Sequence, residues 1–368
     1  MVPHHFQRLR RSLLLAGLWH AAGAQALPPR PLRFPRDFGA HPDLRTEWWY
    51  ITGHASAGGR LFGFQLTFFR SRVDATQNMA SRLAAKQLIF AHAAVTDVQN
   101  KKLWHDQRIA RASGKPPLDL AHASEHDTDI ALRDWTLKRQ DTPAGEVYTA
   151  KIRATDFQLT LQFQARQPLL LQGTQGLSRK GPEPAQASYY YSQPQLAASG
   201  SIALQGRPHT VDANASAWLD HEWSEALLHP EAAGWDWIGI NLFDGSALTA
   251  FRLRDRNDQA LWDGGSFRTG THASQERARI FERGEVHFTP QRRWRSPASR
   301  ASYPVEWTVQ TPAGRFTVKA LVDNQELDSR ASTGAIYWEG LSDLFDSQGR
   351  LVGRGYLEMT GYAGTLRM

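Results

Sequence analysis

The 368-residue chain is 41% hydrophobic and 11% aromatic, which is apolar material for about two sizeable cores at ~150 residues per domain. It has no cysteine, which excludes disulfides, thiolate metal sites, a lipoprotein anchor and cysteine nucleophiles together. Three N-terminal arginines belong to the net charge of +7, and the +4 that remains is spread without long Lys or Arg runs, so no nucleic-acid partner is expected.

Residues 1–26 read as a signal peptide. Arg8, Arg10 and Arg11 form the basic region, Ser12 to Trp19 the apolar run, and Ala24-Gln25-Ala26 the cleavage site. The apolar run is far short of the ~20 residues that span a bilayer, so the expectation is export to the periplasm and not an integral membrane protein. Arg10-Arg11-Ser12-Leu13-Leu14 loosely fits a twin-arginine signal.

After a Pro-rich stretch from Leu27 to Pro35, short aromatic and β-branched runs alternate with Gly, Asn and Asp, an all-β signature. Glu47 to Gly53 and Leu61 to Arg70 form a hairpin about Ala57-Gly58-Gly59-Arg60, and Leu88 to Asp97 pairs with Leu103 to Gln107. Trp135 to Arg139, Tyr148 to Ala154 and Phe157 to Ala165 follow, the last alternating strictly enough to fix one buried face. Gly173 to Ala187 reads as a long loop and Tyr189-Tyr190-Tyr191 opens another strand. Ala75 to Ala84 and Ser224 to Leu228 are the fair helix candidates. From Gly234 the plan restarts: Trp237 to Leu242, a turn, and Ala247 to Arg252 echo the first hairpin, both ending in Phe-Arg. Trp307 to Gln310, Phe316 to Val322, Tyr337 to Phe345 and Leu351 to Thr360 supply further strands. The expected architecture is two antiparallel β-barrels in tandem, residues 27–224 and 225–368, since closure removes sticky sheet edges.

Acids recur beside aromatics at Glu47-Trp48-Trp49-Tyr50, Asp220-His221-Glu222-Trp223, Trp235-Asp236-Trp237, Tyr337-Trp338-Glu339 and Tyr356-Leu357-Glu358. Thirteen tryptophans exceed what two cores need, and indoles beside carboxylates suit a pocket with an apolar body and a few polar handles. As a strand, Trp218 to Trp223 would direct Trp218, Asp220 and Glu222 to one face and Leu219, His221 and Trp223 to the other. Metalloprotease spacing is absent, because no histidine follows His221 by four residues, and His41, His54, His92 and His221 would have to converge from separate segments. No Gly-x-Ser-x-Gly elbow, phosphate loop or dinucleotide fingerprint is present. The reading therefore assigns no metal and no cofactor. It leaves acid-base chemistry by Asp220, His221, Glu222 and Asp236, in a site shaped by Glu47, Trp49, Tyr50, Trp218, Trp223, Trp235, Trp237, Tyr337 and Glu339. Two other readings stand beside it: a non-catalytic carrier, and acids that merely brace the domain interface through Arg70, Arg252 or Lys180.

Thr46-Glu47-Trp48-Trp49-Tyr50, Gly63 to Arg70, Gly173 to Gly181, Trp218 to Trp223, Gly234 to Trp237, Asn324 to Leu327, Tyr337 to Gly340 and Gly355 to Tyr362, in this order, resemble the AttH-like family related to carotenoid 1,2-hydratase. The resemblance spans about Pro42 to Gly361. It implies two lipocalin-like barrels, an exported protein, an isoprenoid- or lipid-like apolar ligand, and a hydratase or hydrolase, or else a carrier working with an ABC-type transporter. In the hydratase branch a His-x-Trp pair and an acid on a following strand look responsible for adding water to an isoprene double bond. His221-Glu222-Trp223 matches the pair and makes its face the cavity face. Ser246 to Arg254 holds no acid, so the proton donor falls to Asp220, Glu222 or Asp236.

Overall fold

The computed structural model describes residues 26–114, 119–226, 228–270 and 278–365; the signal-peptide reading lies outside them except for Ala26. Two large antiparallel sheets hold all the strands of the described residues except Arg293–Arg295 and Ser302–Pro304, which pair as a separate ribbon. The first draws on Thr46–Ala57 through Ser216–Ala226, and the second on Gly234–Leu242 through Leu351–Met359. In the first, the edge strands Lys102–Ala112 and Ala121–Ala123 come back together, giving a nearly closed barrel. In the second, the path runs from Arg279–Phe281 round to His287–Pro290, consecutive strands separated only by residues 282–286. The fold is two lipocalin-like antiparallel barrels in tandem.

Alternation builds each interior. Phe157, Leu159, Leu161 and Phe163 point into the first barrel while Gln158, Thr160 and Gln162 are exposed. The longest strand, Ala187–Leu204, is interrupted where Pro194 cannot donate to a ladder: the register shifts between Gln193 and Leu196, and Gln195 adopts φ 56°. The bulge carries Gln195 to the second barrel, where its backbone N–H donates to Asn241 Oδ1 at 3.0 Å.

The internal repeat is real at the level of register. Glu47 faces Arg70 across the first hairpin, and Asp236 faces Arg252 across the second. Each acid-arginine pair lies inside its own barrel, with Nε donating at 2.7 and 2.8 Å respectively.

Neither expected helix forms. Among the described residues only single 3₁₀ turns, Arg36–Phe38 and Asp74–Thr76, break the strands. Residues 75–83 are exposed or half-buried and have no apolar stripe to pack, so nothing repays the cost of nucleation. Ser224 to Ala226 instead complete a strand, the Ser224 hydroxyl donating to Ala187 O at 2.6 Å. The Gly173 to Ala187 loop contains a short strand, Leu177–Arg179, laid on Ala187–Tyr189. No helix of the described residues is long and apolar enough to cross a membrane.

The barrels meet face to face. A third apolar cluster, including Tyr50, Trp218, Trp237, Phe251, Leu341 and Tyr356, joins the outer face of the first sheet to that of the second. Gly63 permits the approach, since a Cβ there would lie 2.7 Å from the Tyr356 hydroxyl and 3.0 Å from Leu341.

Candidate active site

The strand Ser216–Ala226 separates two polar clusters. Leu219, His221 and Trp223 face the first barrel's interior, and Trp218, Asp220 and Glu222 face the second barrel, as period-two geometry requires.

On the interior face, Glu47 is fully buried and accepts from four groups. His41 Nδ1 and His221 Nε2 donate to its Oε1 at 2.7 and 2.9 Å, and Arg70 Nε and the His41 backbone N–H donate to its Oε2 at 2.7 and 2.8 Å. Burial alone would raise Glu47, but the Arg70 charge and the two imidazole donors outweigh it and hold the carboxylate well below its ordinary range. His41 sits between two carboxylates, its Nε2 donating to Asp37 at 3.0 Å, and stacks on the Trp223 indole at 4.0 Å. Burial lowers its pKa, and the Asp37 and Glu47 hydrogen bonds more than restore it. His221 is pushed down to about 4 by burial, against the opposing pull of Glu47, so it is a neutral ring; its Nδ1 accepts from the Tyr191 hydroxyl at 3.1 Å.

His41, Glu47 and His221 bring three ligand-type atoms within 4.8 Å of one another. Of the four histidines that would have had to converge, two do; His92 instead binds the Tyr337 hydroxyl and Ser332 Oγ. Both ring nitrogens of His41 and of His221 have partners, and Arg70 already balances Glu47. The set is a saturated hydrogen-bond network. A surface cleft of about 510 Å³, lined by Arg30, Arg33, Asp37, His41, Tyr189 and Trp223 among others, opens on this side, away from the interface acids.

The opposite face differs. Register aligns His92, Thr67, Tyr50, Asp220 and Ser192 as one row across five strands of the first sheet. In the second sheet Glu339, Glu358, Trp237 and Phe251 form a matching row. The rows meet, Tyr50 standing edge-on to Trp237 at 5.4 Å between ring centres. Asp220 accepts from Ser192 Oγ at 2.5 Å, Trp218 Nε1 at 2.7 Å and the Tyr190 hydroxyl at 2.8 Å. Three hydrogen bonds to a charged acceptor would each stabilise the anion by about 1.5–3 kcal/mol. Desolvation wins even so, pushing Asp220 up to about 7.

Glu339 and Glu358 are direct cross-strand partners, and like charges so placed cannot both ionise in an apolar surround. Burial and the Glu358 charge raise Glu339 well above the ordinary range, against the opposing pull of the nearby Tyr50 hydroxyl. Glu358, half-buried, is also raised, by desolvation first and then by Asp220 and Glu222, while Trp235 opposes. Glu339 Oε1 is buried without a partner. Glu222 is different again: Lys180 Nζ lies 3.0 Å from its Oε1, Ser188 donates to the same atom, and the ammonium sits over Phe251 and Tyr190 at 4.3 and 4.7 Å.

The sequence-derived candidates thus divide three ways. Asp220, Glu222, Tyr50, Trp218, Trp235, Trp237, Tyr337 and Glu339 gather at the interface. His221, Trp223, Glu47 and Trp49 belong to the first barrel's packed interior, where Trp49 stacks on His221 at 4.5 Å and Trp223 reaches the wall of the surface cleft. Asp236 joins neither group. It lies on the second barrel's inner face, held by Arg252 and by the Tyr362 hydroxyl at 2.8 Å, because Trp235 and Trp237 take the outward positions on either side of it. Of the three suggested braces, only Lys180 reaches the interface. Glu358 and Tyr190 went unassigned, although Tyr356-Leu357-Glu358 repeats the acid-aromatic pairing and its period of two signals a shared face.

Two packed barrels with protonatable acids between them define a tandem lipocalin-like protein with an interdomain acid site. The AttH-like family model matches residues 25–362, and the chain belongs to that family. It is 46% identical to an AttH-type protein of Nitrosomonas europaea of known crystal structure, covering 92% of this chain and 99% of that one with a TM-score of 0.82. Kievitone hydratase from Nectria haematococca shares the fold at 13% identity, covering 94% and 95% of the two chains with a TM-score of 0.67. No curated protein matches the chain.

Proposed function

We propose that this protein is a cofactor-independent hydratase that adds water to an alkene of an isoprenoid-like ligand held between the barrels. The observation that carries the reading is Glu339, a buried carboxyl kept protonated by desolvation and by Glu358, with an oxygen free to meet a ligand. Glu339 donates its proton to the less substituted alkene carbon, and the positive charge left on the neighbouring carbon faces the indoles of Trp218 and Trp237. Water adds to that carbon, and its surplus proton passes to Asp220, whose pKa near 7 suits a base at neutral pH. The sum is alkene plus water giving an alcohol, with protons shuttled back between the acids. The name of the fungal relative, a hydratase, agrees with this class of reaction. The leader-like sequence supports a periplasmic setting.

The experiment is incubation with prenylated compounds in heavy-oxygen water, followed by mass spectrometry. The wild type should yield labelled alcohol, and Glu339→Gln or Asp220→Asn should lose about 10²–10⁴-fold in rate while still binding. Ligand retained intact by the wild type on long incubation would make the protein a carrier and end the hydratase reading.

A further inference from the structure

The cleft of about 510 Å³ opens at the end of the first barrel where strand Thr46–Ala57 begins and strand Arg60–Arg72 ends. Two irregular segments cover that end: residues 30–45, whose Arg33, Arg36 and Leu44 line the cleft, and residues 73–86, which join Arg72 to Gln87. They are tied to one another. The Arg72 backbone N–H donates to Arg45 O at 2.9 Å, its guanidinium to Asp43 O, and the Gln87 amide to Pro42 O at 3.4 Å. The second segment is also closed on itself, with Gln77 Nε2 donating to Val73 O and Lys86 O at 3.0 and 2.6 Å and Lys86 Nζ to Met79 O at 2.9 Å. On this frame Met79 and Leu83 stand 52% and 63% exposed, and Phe34, on the other segment, 37%. Three of the seven exposed large hydrophobic side chains among the described residues therefore share one end of one barrel. Around them, residues 30–45 and 72–86 carry seven Arg or Lys against three Asp. Asp37 is taken by Arg30 at 2.8 Å and Asp74 by Arg72 at 2.6 Å, whereas Arg33, Arg45 and Arg82 form no ion pair among the described residues.

We propose that this end of the first barrel docks on a bilayer surface bearing anionic phospholipid, and that the cleft receives a lipid phosphate headgroup on Arg33 and Arg36. Unpaired arginines attract an anionic leaflet, and apolar tips set among them enter the boundary between headgroups and acyl chains. Separate tips on two segments do not make the continuous apolar core of a protein interface, but each enters a bilayer on its own. The headgroup chemistry follows from the guanidinium forks, which match phosphate oxygens in pairs. The cleft opens away from the interface acids, so docking here leaves the contact between the barrels uncovered and does not depend on the hydratase reading.

Cosedimentation with two kinds of vesicle tests it, one of phosphatidylcholine and one of phosphatidylcholine and phosphatidylglycerol in equal parts. The protein should pellet with the anionic vesicles at low salt, leave them at about 1 M salt, where charges are screened beyond ~3 Å, and ignore phosphatidylcholine alone. A Met79→Ser, Leu83→Ser double variant and an Arg33→Gln, Arg82→Gln double variant should each weaken partition at least about tenfold. Neither should melt lower than the wild type, because all four side chains are exposed. Phe243→Ser with Leu351→Ser, the same change at exposed positions of the second barrel, should leave partition unaltered. Inorganic phosphate added at constant ionic strength should not release the protein, since it replaces none of the apolar contacts. Equal partition onto both vesicles, none onto either, partition that survives either of the first two double variants, or loss caused by the second-barrel pair would overturn the assignment. Release by phosphate would overturn it too, making the cleft a site for a soluble anion. Hydration of soluble prenylated compounds should be the same in these variants, so failure of docking and failure of the hydratase reading are told apart.

Discussion

Burial acts on Asp220 and on His221, its neighbour in the chain, with opposite outcomes. It raises the carboxyl to about 7 and lowers the imidazole to about 4, so both groups are biased towards their neutral forms. For Asp220 the linkage sign follows. The folded-state pKa lies above the unfolded value of ~3.9, so stability falls as pH rises from about 4 to about 7 and then levels off. Asp220→Asn should remove that slope, gaining up to ~4 kcal/mol relative to the wild type at pH 8 over pH 4, measured by urea unfolding. Glu47 behaves in the opposite sense. Its folded pKa is depressed, so its contribution is full above the unfolded value of ~4.3 and is lost as pH falls below it. Arg70→Met would strand Glu47 as a buried charge and should cost about 3–5 kcal/mol at neutral pH.

At the scale of elements, strand identity and facing were legible because period two is a strong signal. Phe157–Gln164 is the cleanest case, and it makes a prediction: Leu161→Ala should cost about 2–5 kcal/mol, while the exposed Gln162→Ala should stay within ~0.5 kcal/mol in the same unfolding assay. The same parity correctly divided Trp218, Asp220 and Glu222 from His221 and Trp223. What parity could not supply was which face met a partner sheet and which met a core. That depends on which sheet lies across from each face, and on side chains as distant as Glu339 and Glu358, more than 100 positions beyond Asp220. Asp236 lies apart from the interface acids for this reason: it stands between two tryptophans, and only the register with Arg252 reveals that it is the counterpart of Glu47. The hydrogen-bonded pair His41 and Glu47 was likewise hidden, because His41 lies on an irregular N-terminal segment with no period to read.

For the whole molecule, the contact between barrels is both the candidate site and a large part of what joins them. Trp218, Trp237 and Tyr356 are buried there, each worth about 1.5–3 kcal/mol of apolar transfer, against the cost of desolvating Asp220, Glu339 and Glu358. Joining the barrels therefore depends on the acids remaining uncharged. Gly63→Val should push Tyr356 and Leu341 away and uncouple the barrels, converting one calorimetric transition into two. The central claim, that acids stay protonated near neutral pH between the barrels, needs no substrate to test. Infrared titration of the carboxyl C=O stretch reads it most directly. A protonated carboxyl signal should persist well above the ordinary carboxylate range and disappear in Glu339→Gln, and a component titrating at about 7, to which Asp220 and Glu358 both contribute, should shrink in Asp220→Asn. A wild type whose carboxyls have all ionised by the ordinary range of about 4 would contradict the account.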